Sequence, residues 1–166
     1  PKLSFMLFAD ETNIFHSDTT IMKVTNVLNQ ELIKLNEWFK VNKLSLNVDK
    51  TNFMVFKNNS TIPDKHCPCI NDVNIKRVHS TKFLGVYIQD NLQWDVHINY
   101  VCKNIARNIS ILYKVKPLLD SQYIYALYCS LVLLYMTYSC EIWGNTYESN
   151  SSKVVRLLKK AIRIIA

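Results

Sequence analysis

The change of pattern that decides the fold lies in residues 82–112, which read KFLGVYIQDNLQWDVHINYVCKNIARNISIL. The first part, Lys82 to Ile88, is a short apolar run that predicts a strand. Gly85 within it marks a point where another group can approach the backbone closely. After Asn91 the apolar residues recur every three or four positions, which is the period of a helix with one buried face. The chain is therefore predicted to change from strands to helices near residue 91.

A hairpin and a helix are predicted near the start of the chain. Two apolar segments, residues 3–8 and 12–16, flank an acidic pair, Asp10 and Glu11, as strands flank a turn. Residues 17–19 read Ser-Asp-Thr, which is a capping cluster for a following helix. The buried face predicted for that helix consists of Ile21, Val24, Val27, Leu28, Leu32, Leu35, Trp38 and Phe39.

Strand patterns return between this helix and residue 82. Residues 44–48 alternate strictly between apolar and polar side chains, which is typical of a strand. Apolar positions on both sides of Asn71 and Asp72 predict a second, small hairpin. Residues 1–90 are therefore predicted to combine antiparallel hairpins with an amphipathic helix.

The remainder of the chain, residues 91–166, is predicted to be all helical. Pro117 ends the helix that begins after Asn91, because proline cannot continue a helix. A second helix is expected over residues 121–138 and a third over residues 153–165. The buried face predicted for the third helix consists of Val154, Val155, Leu158, Ala161, Ile162 and Ile165. The predicted fold class is α+β.

The charge of the chain is concentrated in its last third. The 166 residues carry 20 Lys and Arg against 13 Asp and Glu, a net charge of +7. Residues 101–166 hold nine of the basic residues and three of the acidic ones, whereas residues 1–50 are neutral overall. A strongly basic region indicates an anionic partner, without identifying it.

Two helical segments leave alternatives open. Residues 121–140 carry no formal charge over a length that could span a membrane, but their tyrosines and hydroxyl side chains favour a buried helix. The basic last helix fits an anionic membrane surface or a nucleic-acid backbone equally well. It also fits a third role, as a core helix with a solvated basic face.

The cysteines bear on location and on metal binding. Five cysteines at irregular spacing do not form a disulfide framework, which predicts an intracellular protein that is not secreted. Residues 66–69, His-Cys-Pro-Cys, resemble half of a zinc site. The ligands are too close together and no second cluster follows at the usual spacing, so no zinc site is predicted.

The acidic pair is the strongest chemical signal in the sequence. Two neighbouring carboxylates on a turn offer the oxygen ligands that Mg²⁺ prefers, and Mg²⁺ supports phosphoryl transfer. The alternative is a solvated acidic turn, since two carboxylates need a third from elsewhere to hold two ions. Lys50 is a second candidate, either as a cation beside a phosphate or as a surface lysine at the end of a strand.

Taken in order, these segments resemble the C-terminal part of a reverse transcriptase of LINE-type (non-LTR) retrotransposons. The sequence Phe8-Ala9-Asp10-Glu11 is similar to the Phe/Tyr-Ala-Asp-Asp catalytic turn of the polymerase palm, and residues 82–86 match the strand called the primer grip. The other matching segments are residues 35–39, 42–47, 50–51, 92–94, 97–98, 127–131 and 142–144. The resemblance covers nearly the whole chain.

This resemblance implies an RNA-directed DNA polymerase, a nucleotidyltransferase of a transposable element. Asp10 would bind the catalytic Mg²⁺ (or Mn²⁺) ions, together with Glu11 in place of the family's second Asp. Lys50 would lie near the phosphates of the incoming deoxynucleoside triphosphate, and Phe83, Leu84 and Gly85 would support the 3′ end of the primer.

The resemblance also divides the chain into residues 1–90, the C-terminal part of the palm, and residues 91–166, a thumb-like region. The thumb would hold a duplex of RNA template and DNA primer by its backbone. The basic residues expected to bind this duplex are Lys103, Arg107, Lys114, Lys153, Arg156, Lys159, Lys160 and Arg163. The intact enzyme is expected to act in the nucleus.

Three departures from the family pattern shape these expectations. Glu11 is one methylene longer than Asp, and Asn71 and Leu134 stand where glycine and proline are common. The fingers and the palm strand with the other metal-binding Asp would lie upstream, so the chain alone is expected not to polymerise. The alternative function is a non-catalytic nucleic-acid-binding remnant of a degenerate element. A membrane-associated protein is a third hypothesis.

Overall fold

The computed structural model describes residues 3–9, 11–56, 67–71 and 73–166. The chain divides into two compact units: unit 1 ends at His79, and unit 2 runs from Ser80 to Ala166. Both units combine helix with two-stranded sheets, so the predicted α+β class is confirmed. The palm and thumb assignment, with its division after residue 90, stays a prediction.

Unit 1 combines a long helix with short strands. Its elements are β1 (Ser4–Phe8), β2 (Glu11–Phe15), α1 (Ile21–Val41), β3 (Asn52–Phe53), β4 (Cys69–Ile70), β5 (Val73–Asn74) and β6 (Lys76–Arg77). The pairs β1–β2 and β4–β5 are antiparallel, which confirms the two predicted hairpins, whereas β3 and β6 pair in parallel. The strand predicted over residues 44–48 is wrong. This segment is irregular, and Leu46 and Val48 pack against a small core, whereas Leu44 is exposed.

The core of unit 1 is small. Its buried apolar residues are Leu32, Ile70 and Ile75, which form one cluster with half-buried neighbours. The face predicted for α1 is largely confirmed, because Leu32 is buried and six of the other predicted residues are half-buried, whereas Trp38 is 56% exposed. The N-cap of α1 is Thr20 and not a residue of the predicted cluster at 17–19. The hydroxyl of Thr20 accepts a hydrogen bond from the backbone N–H of Lys23 at 3.4 Å.

Unit 2 consists of a hairpin followed by helices. Its elements are β7 (Ser80–Phe83), β8 (Val86–Gln89), α2 (Asp95–Val115), a 3₁₀ turn (Lys116–Leu118), α3 (Ser121–Tyr128), a π-helical segment (Cys129–Leu133), α4 (Leu134–Thr137), α5 (Cys140–Trp143) and α6 (Glu148–Ile165). The three predicted helical regions are confirmed, although α6 begins five residues earlier than expected. The continuous strand predicted over residues 82–88 is wrong, since this stretch folds back on itself between β7 and β8.

Unit 2 has an extensive apolar core built around α2. Its main cluster consists of Val101, Ile105, Ile109, Leu112, Tyr128, Val132, Ala161 and Ile164. The α2 residues of this cluster belong to the apolar stripe found in the sequence. The predicted face of α6 is partly wrong, because Val155 and Ile162 are exposed whereas Ile164 and Asn150 are buried. A helix packed between two neighbours buries a face that apolar periodicity locates only approximately.

The π-helical segment is supported by a polar residue in the core. A π-helical turn shifts the backbone hydrogen bonds by one residue and leaves carbonyls without their usual partners. The side-chain amide of Asn108, which is buried on α2, donates to the carbonyl oxygen of Leu131 within that segment. This bond satisfies two buried polar groups and fixes the segment against α2.

The charge-free segment 121–140 forms a helix as far as Thr137, with the π-helical segment inside it. The chain leaves the helical conformation at Tyr138. Among the described residues, none of the helices combines the length and the apolar character needed to cross a bilayer.

Candidate nucleic-acid interface

The turn predicted to be catalytic joins β1 and β2. Phe8 pairs with Glu11 in the antiparallel register, and Ala9 just after β1 has a φ of 50°, a conformation typical of tight hairpin turns. Asp10 lies outside the described residues. Glu11 is exposed at the start of β2.

The described residues do not assemble a metal site at this turn. They contain no group of three or more His, Cys, Asp or Glu side chains that could hold a metal ion, and Glu11 is the described carboxylate of the predicted pair. Magnesium requires near-octahedral coordination by oxygen atoms. One described carboxylate does not fit that requirement, so the binding of Mg²⁺ (or Mn²⁺) stays a prediction and no catalytic step is derived from it.

Lys50 lies in a turn, not at the end of a strand. Its backbone N–H donates to the side-chain oxygen of Asn47 at 3.1 Å, and its side chain is exposed. Among the described residues no hydrogen bond or ion pair joins Lys50 to Glu11. The structure therefore does not bring these two predicted catalytic residues into contact.

The three predicted primer-grip residues form the end of the β7–β8 hairpin. Phe83 ends β7 and pairs with Val86, and Leu84 and Gly85 form the two-residue turn between them. Both turn residues have positive φ, 45° for Leu84 and 85° for Gly85, which is the requirement of a type I′ turn. Leucine is strained in this conformation and glycine is not.

Tyr138 holds this turn in place. Its hydroxyl donates to the carbonyl oxygen of Leu84 at 2.6 Å. A Cβ atom added at Gly85 would lie 3.2 Å from Cε1 of the Tyr138 ring, so the turn and the ring are in close approach. Tyr138 itself is fixed, because the indole N–H of Trp143 donates to its carbonyl oxygen at 2.9 Å. The contact locks a strained backbone turn to the helical part of unit 2.

A buried histidine joins the same hairpin to α2. The ring of His97 accepts a hydrogen bond at Nδ1 from the backbone N–H of Tyr87 at 3.3 Å and packs edge-on against Trp143. Its Nε2 is buried and has no hydrogen-bond partner among the described residues. Burial lowers the pKa of His97 below its ordinary value. The neutral imidazole is therefore the form that supports the hairpin.

The basic residues of α2 form a single stripe. Lys103, Arg107 and Lys114 are four and seven residues apart, so they lie within about 40° of one another around the helix axis. All three are exposed. They face away from the buried side of α2, which contains Ile105 and Leu112. No acidic residue interrupts this stripe between positions 103 and 114.

The basic residues of α6 form a second stripe. Lys153, Arg156, Lys160 and Arg163 follow one another at intervals of three and four residues, and Lys159 lies at the edge of the stripe. All five are exposed. Together the two stripes contain all eight residues predicted to bind nucleic acid.

The two stripes belong to helices that pack side by side. Ile98 and Val154, near the starts of α2 and α6, share one apolar cluster, and Ile109 and Ala161, further along, share another. The two helices therefore run in the same direction. Burial raises the pKa of the Cys102 thiol, and the charge of Lys153 opposes this shift. Lys153, at the start of the α6 stripe, is thus close to α2.

Two other features, the half zinc site and a cavity in unit 2, show no arrangement of charged or metal-binding side chains among the described residues. Cys67 and Cys69 of the half zinc site are free and half-buried, and His66 lies outside the described residues. The backbone N–H of Cys69 donates to the side chain of Asn29 at 3.0 Å, which is a structural role. A cavity of ≈ 420 Å³ in unit 2 has no charged side chain in its lining, which consists of Leu92, Gln93, Trp94, Asn145, Thr146 and Tyr147.

The residue that sequence reasoning missed at the primer-grip turn is Tyr138. It lies 54 positions from Leu84 in the chain, and no sequence pattern links the two. The turn itself had a signal, since a glycine between two short apolar runs is compatible with a hairpin. Comparisons with family models, curated proteins and solved structures find no match for this chain.

Proposed function

We propose that this chain is the palm and thumb part of a non-LTR retrotransposon reverse transcriptase, in which unit 2 holds a duplex of RNA template and DNA primer. The observation that carries this proposal is the pair of exposed basic stripes on α2 and α6, two helices that pack together. The family itself rests on the order of the motifs in the sequence. Action in the nucleus is proposed together with this activity.

The spacing of the cations suits a phosphate backbone. Along the axis of α2, Lys103 and Arg107 are about 6 Å apart, and Arg107 and Lys114 about 10.5 Å apart. Each strand of a duplex presents one phosphate per about 3.4 Å of its axis. Exposed cations at such intervals can follow a strand without reading its sequence.

A salt titration of duplex binding tests this proposal. The labelled probes are a DNA duplex and an RNA–DNA template–primer, and the variants replace Lys103, Arg107 and Lys114 by glutamine together. For the DNA duplex, the slope of log affinity against log salt should become shallower by about 2.7, since each lost phosphate contact contributes about 0.9. The charge-matched control replaces Lys23, Lys34 and Lys40 on α1, which should leave the slope unchanged. A flat salt response of the wild-type chain would contradict the proposal.

The non-catalytic remnant is a second candidate, and one observation favours it. Glu11 stands where the family has an aspartate, and its longer side chain shifts the carboxylate of a site that demands exact geometry. Metal-dependent nucleotide incorporation on an RNA template separates the two candidates when it is measured on the intact protein with its upstream fingers and palm strand, because the chain alone is expected not to polymerise. Incorporation that Asp10→Asn abolishes, while duplex binding persists, would support the polymerase. Binding without incorporation by either the wild type or a Glu11→Asp variant would support the remnant.

A further inference from the structure

The side chain of Lys82 is held between the β7–β8 hairpin and α2 by two aromatic rings. Its ammonium lies 5.3 Å from the centre of the Tyr100 ring and 6.0 Å from that of the Tyr87 ring. The two rings contact each other with their centres 5.1 Å apart. Lys82 and Tyr87 are also cross-strand partners, so they lie on the same face of the hairpin.

This cluster lies next to the basic stripe of α2. Tyr100 precedes Lys103 by three residues and is therefore its neighbour on the helix surface. Lys82 sits on the ring of Tyr100 and extends the row of exposed cations by one position, from α2 onto the hairpin. Lys82 lies more than twenty positions before Lys103 in the sequence, so it joins the row of cations only in the folded chain.

We propose that Lys82 is a further contact to a nucleic-acid phosphate, continuous with Lys103 and Arg107 on α2. This inference rests on the proposed function of unit 2 and adds Lys82 to the cations of its interface. A lysine ordinarily loses much side-chain freedom when it binds a phosphate. The two tyrosine rings restrict Lys82 beforehand while its ammonium stays exposed, which lowers that cost.

The partner is a nucleic-acid duplex and not an acidic protein surface, because the cations are arranged linearly. Lys103, Arg107 and Lys114 follow one line along α2 with no acidic residue within the stripe, and Lys82 lies against the ring of Tyr100, one helical turn before Lys103. A regular polyanion matches such a row at several points at once.

The test measures the affinity of the whole chain for a labelled DNA duplex between 0.1 and 1 M salt, for three glutamine variants: Lys82→Gln, Arg107→Gln and Lys34→Gln. Lys82→Gln should make the slope of log affinity against log salt shallower by about 0.9. Its loss of affinity relative to the wild type should therefore be about eightfold greater at 0.1 M salt than at 1 M. Arg107→Gln should have the same effect. Lys34→Gln removes the same charge from α1, where Lys34 pairs with Glu31, and should change neither. Lys82→Arg should bind like the wild type.

The outcomes separate the inference from the function on which it rests. If the wild type shows no salt-dependent binding, both fail. If Arg107→Gln weakens binding and Lys82→Gln behaves like Lys34→Gln, the proposed function stands and the role of Lys82 is wrong. A loss of affinity in Lys82→Gln with an unchanged salt slope also overturns the inference, because a lost phosphate contact must change the slope. Circular dichroism of each variant verifies that it is folded.

Discussion

Units 1 and 2 use apolar residues in opposite ways. In unit 2 the aliphatic side chains on one face of α2 are buried in a cluster with residues of α3, the π-helical segment and α6. In unit 1 all five residues of β1 are exposed, with Leu7 at 70%, and the core contains three buried apolar side chains among the residues that the structure describes. The two units have similar lengths, so size does not explain the difference.

The difference follows from how each unit covers its strands and helices. A two-stranded hairpin is marginal in water unless a third strand or a helix covers one face. Neither face of β1 is covered, whereas the β7–β8 hairpin is anchored by His97 and Tyr138. Unit 2 therefore has the contacts expected of an independently stable region, and unit 1 has few of them.

The largest expected effect is in the core of unit 2. Ile105→Ala should lower the free energy of unfolding by about 2–5 kcal/mol, because Ile105 is fully buried and its removal leaves a cavity. Ile111→Ala, on the exposed side of the same helix, is the matched control and should have little effect. Denaturant unfolding followed by circular dichroism measures both. Equal effects would show that α2 does not have the described buried face.

A substitution in the turn between β7 and β8 should have the next largest effect on the free energy of unfolding. Gly85→Ala should cost about 1–2 kcal/mol, because its backbone has a positive φ and the new Cβ would press on the ring of Tyr138. Leu84→Asn should have the opposite sign, since asparagine tolerates positive φ better than leucine. Thermal unfolding of the two variants compares them directly. Gly85→Ala as stable as the wild type would contradict the type I′ turn.

Removing the hydroxyl of Tyr138 tests the anchor of the same hairpin. Tyr138→Phe should lower stability by about 0.5–1 kcal/mol, because one hydrogen bond to Leu84 is lost and the ring remains. Hydrogen exchange of the amides between Leu84 and Val86 should become faster. Tyr123→Phe, an exposed tyrosine of α3, is the control. Unchanged exchange at the turn would mean that Tyr138 does not hold it.

The effect of His97 on the free energy of unfolding is expected to depend on pH and to appear in mildly acidic solution. Burial lowers the pKa of His97, so between that value and about 6.5 the unfolded chain binds more protons than the folded one. Stability should therefore be complete above about pH 6.5 and decline as the pH falls through this window. His97→Gln should reduce the decline. Unfolding curves between pH 5 and 7.5 that are identical for wild type and His97→Gln would contradict this account.

The smallest expected effect on stability is in unit 1. Leu7→Ser should change the free energy of unfolding by no more than about 0.5 kcal/mol, because Leu7 is already exposed. It should also reduce self-association, since it removes apolar surface from an unpaired strand edge. Sedimentation velocity measures the association, with wild type as reference. A large loss of stability would mean that β1 has a covered face, and the contrast between the units would disappear.

Local signals in the sequence located most of the elements, and contacts between distant residues account for the errors. The periodicity of α2 correctly predicted its buried residues, because that helix is surrounded by apolar neighbours. The same reasoning was wrong for Trp38 of α1, which is exposed, and for residues 44–48, whose alternating side chains do not form a strand. Periodicity shows which residues can be buried together, but only a partner in space buries them.

The sequence by itself determined the α+β class, the positions of the main helices and the exposure of the eight basic residues on α2 and α6, because helical period and charge are local properties. The tertiary structure alone decided that these two helices adjoin, that Tyr138 reaches Leu84 across 54 positions, and that Lys82 joins the row of cations through Tyr100. These contacts depend on how the hairpin and helices pack, and packing between distant segments has no local pattern.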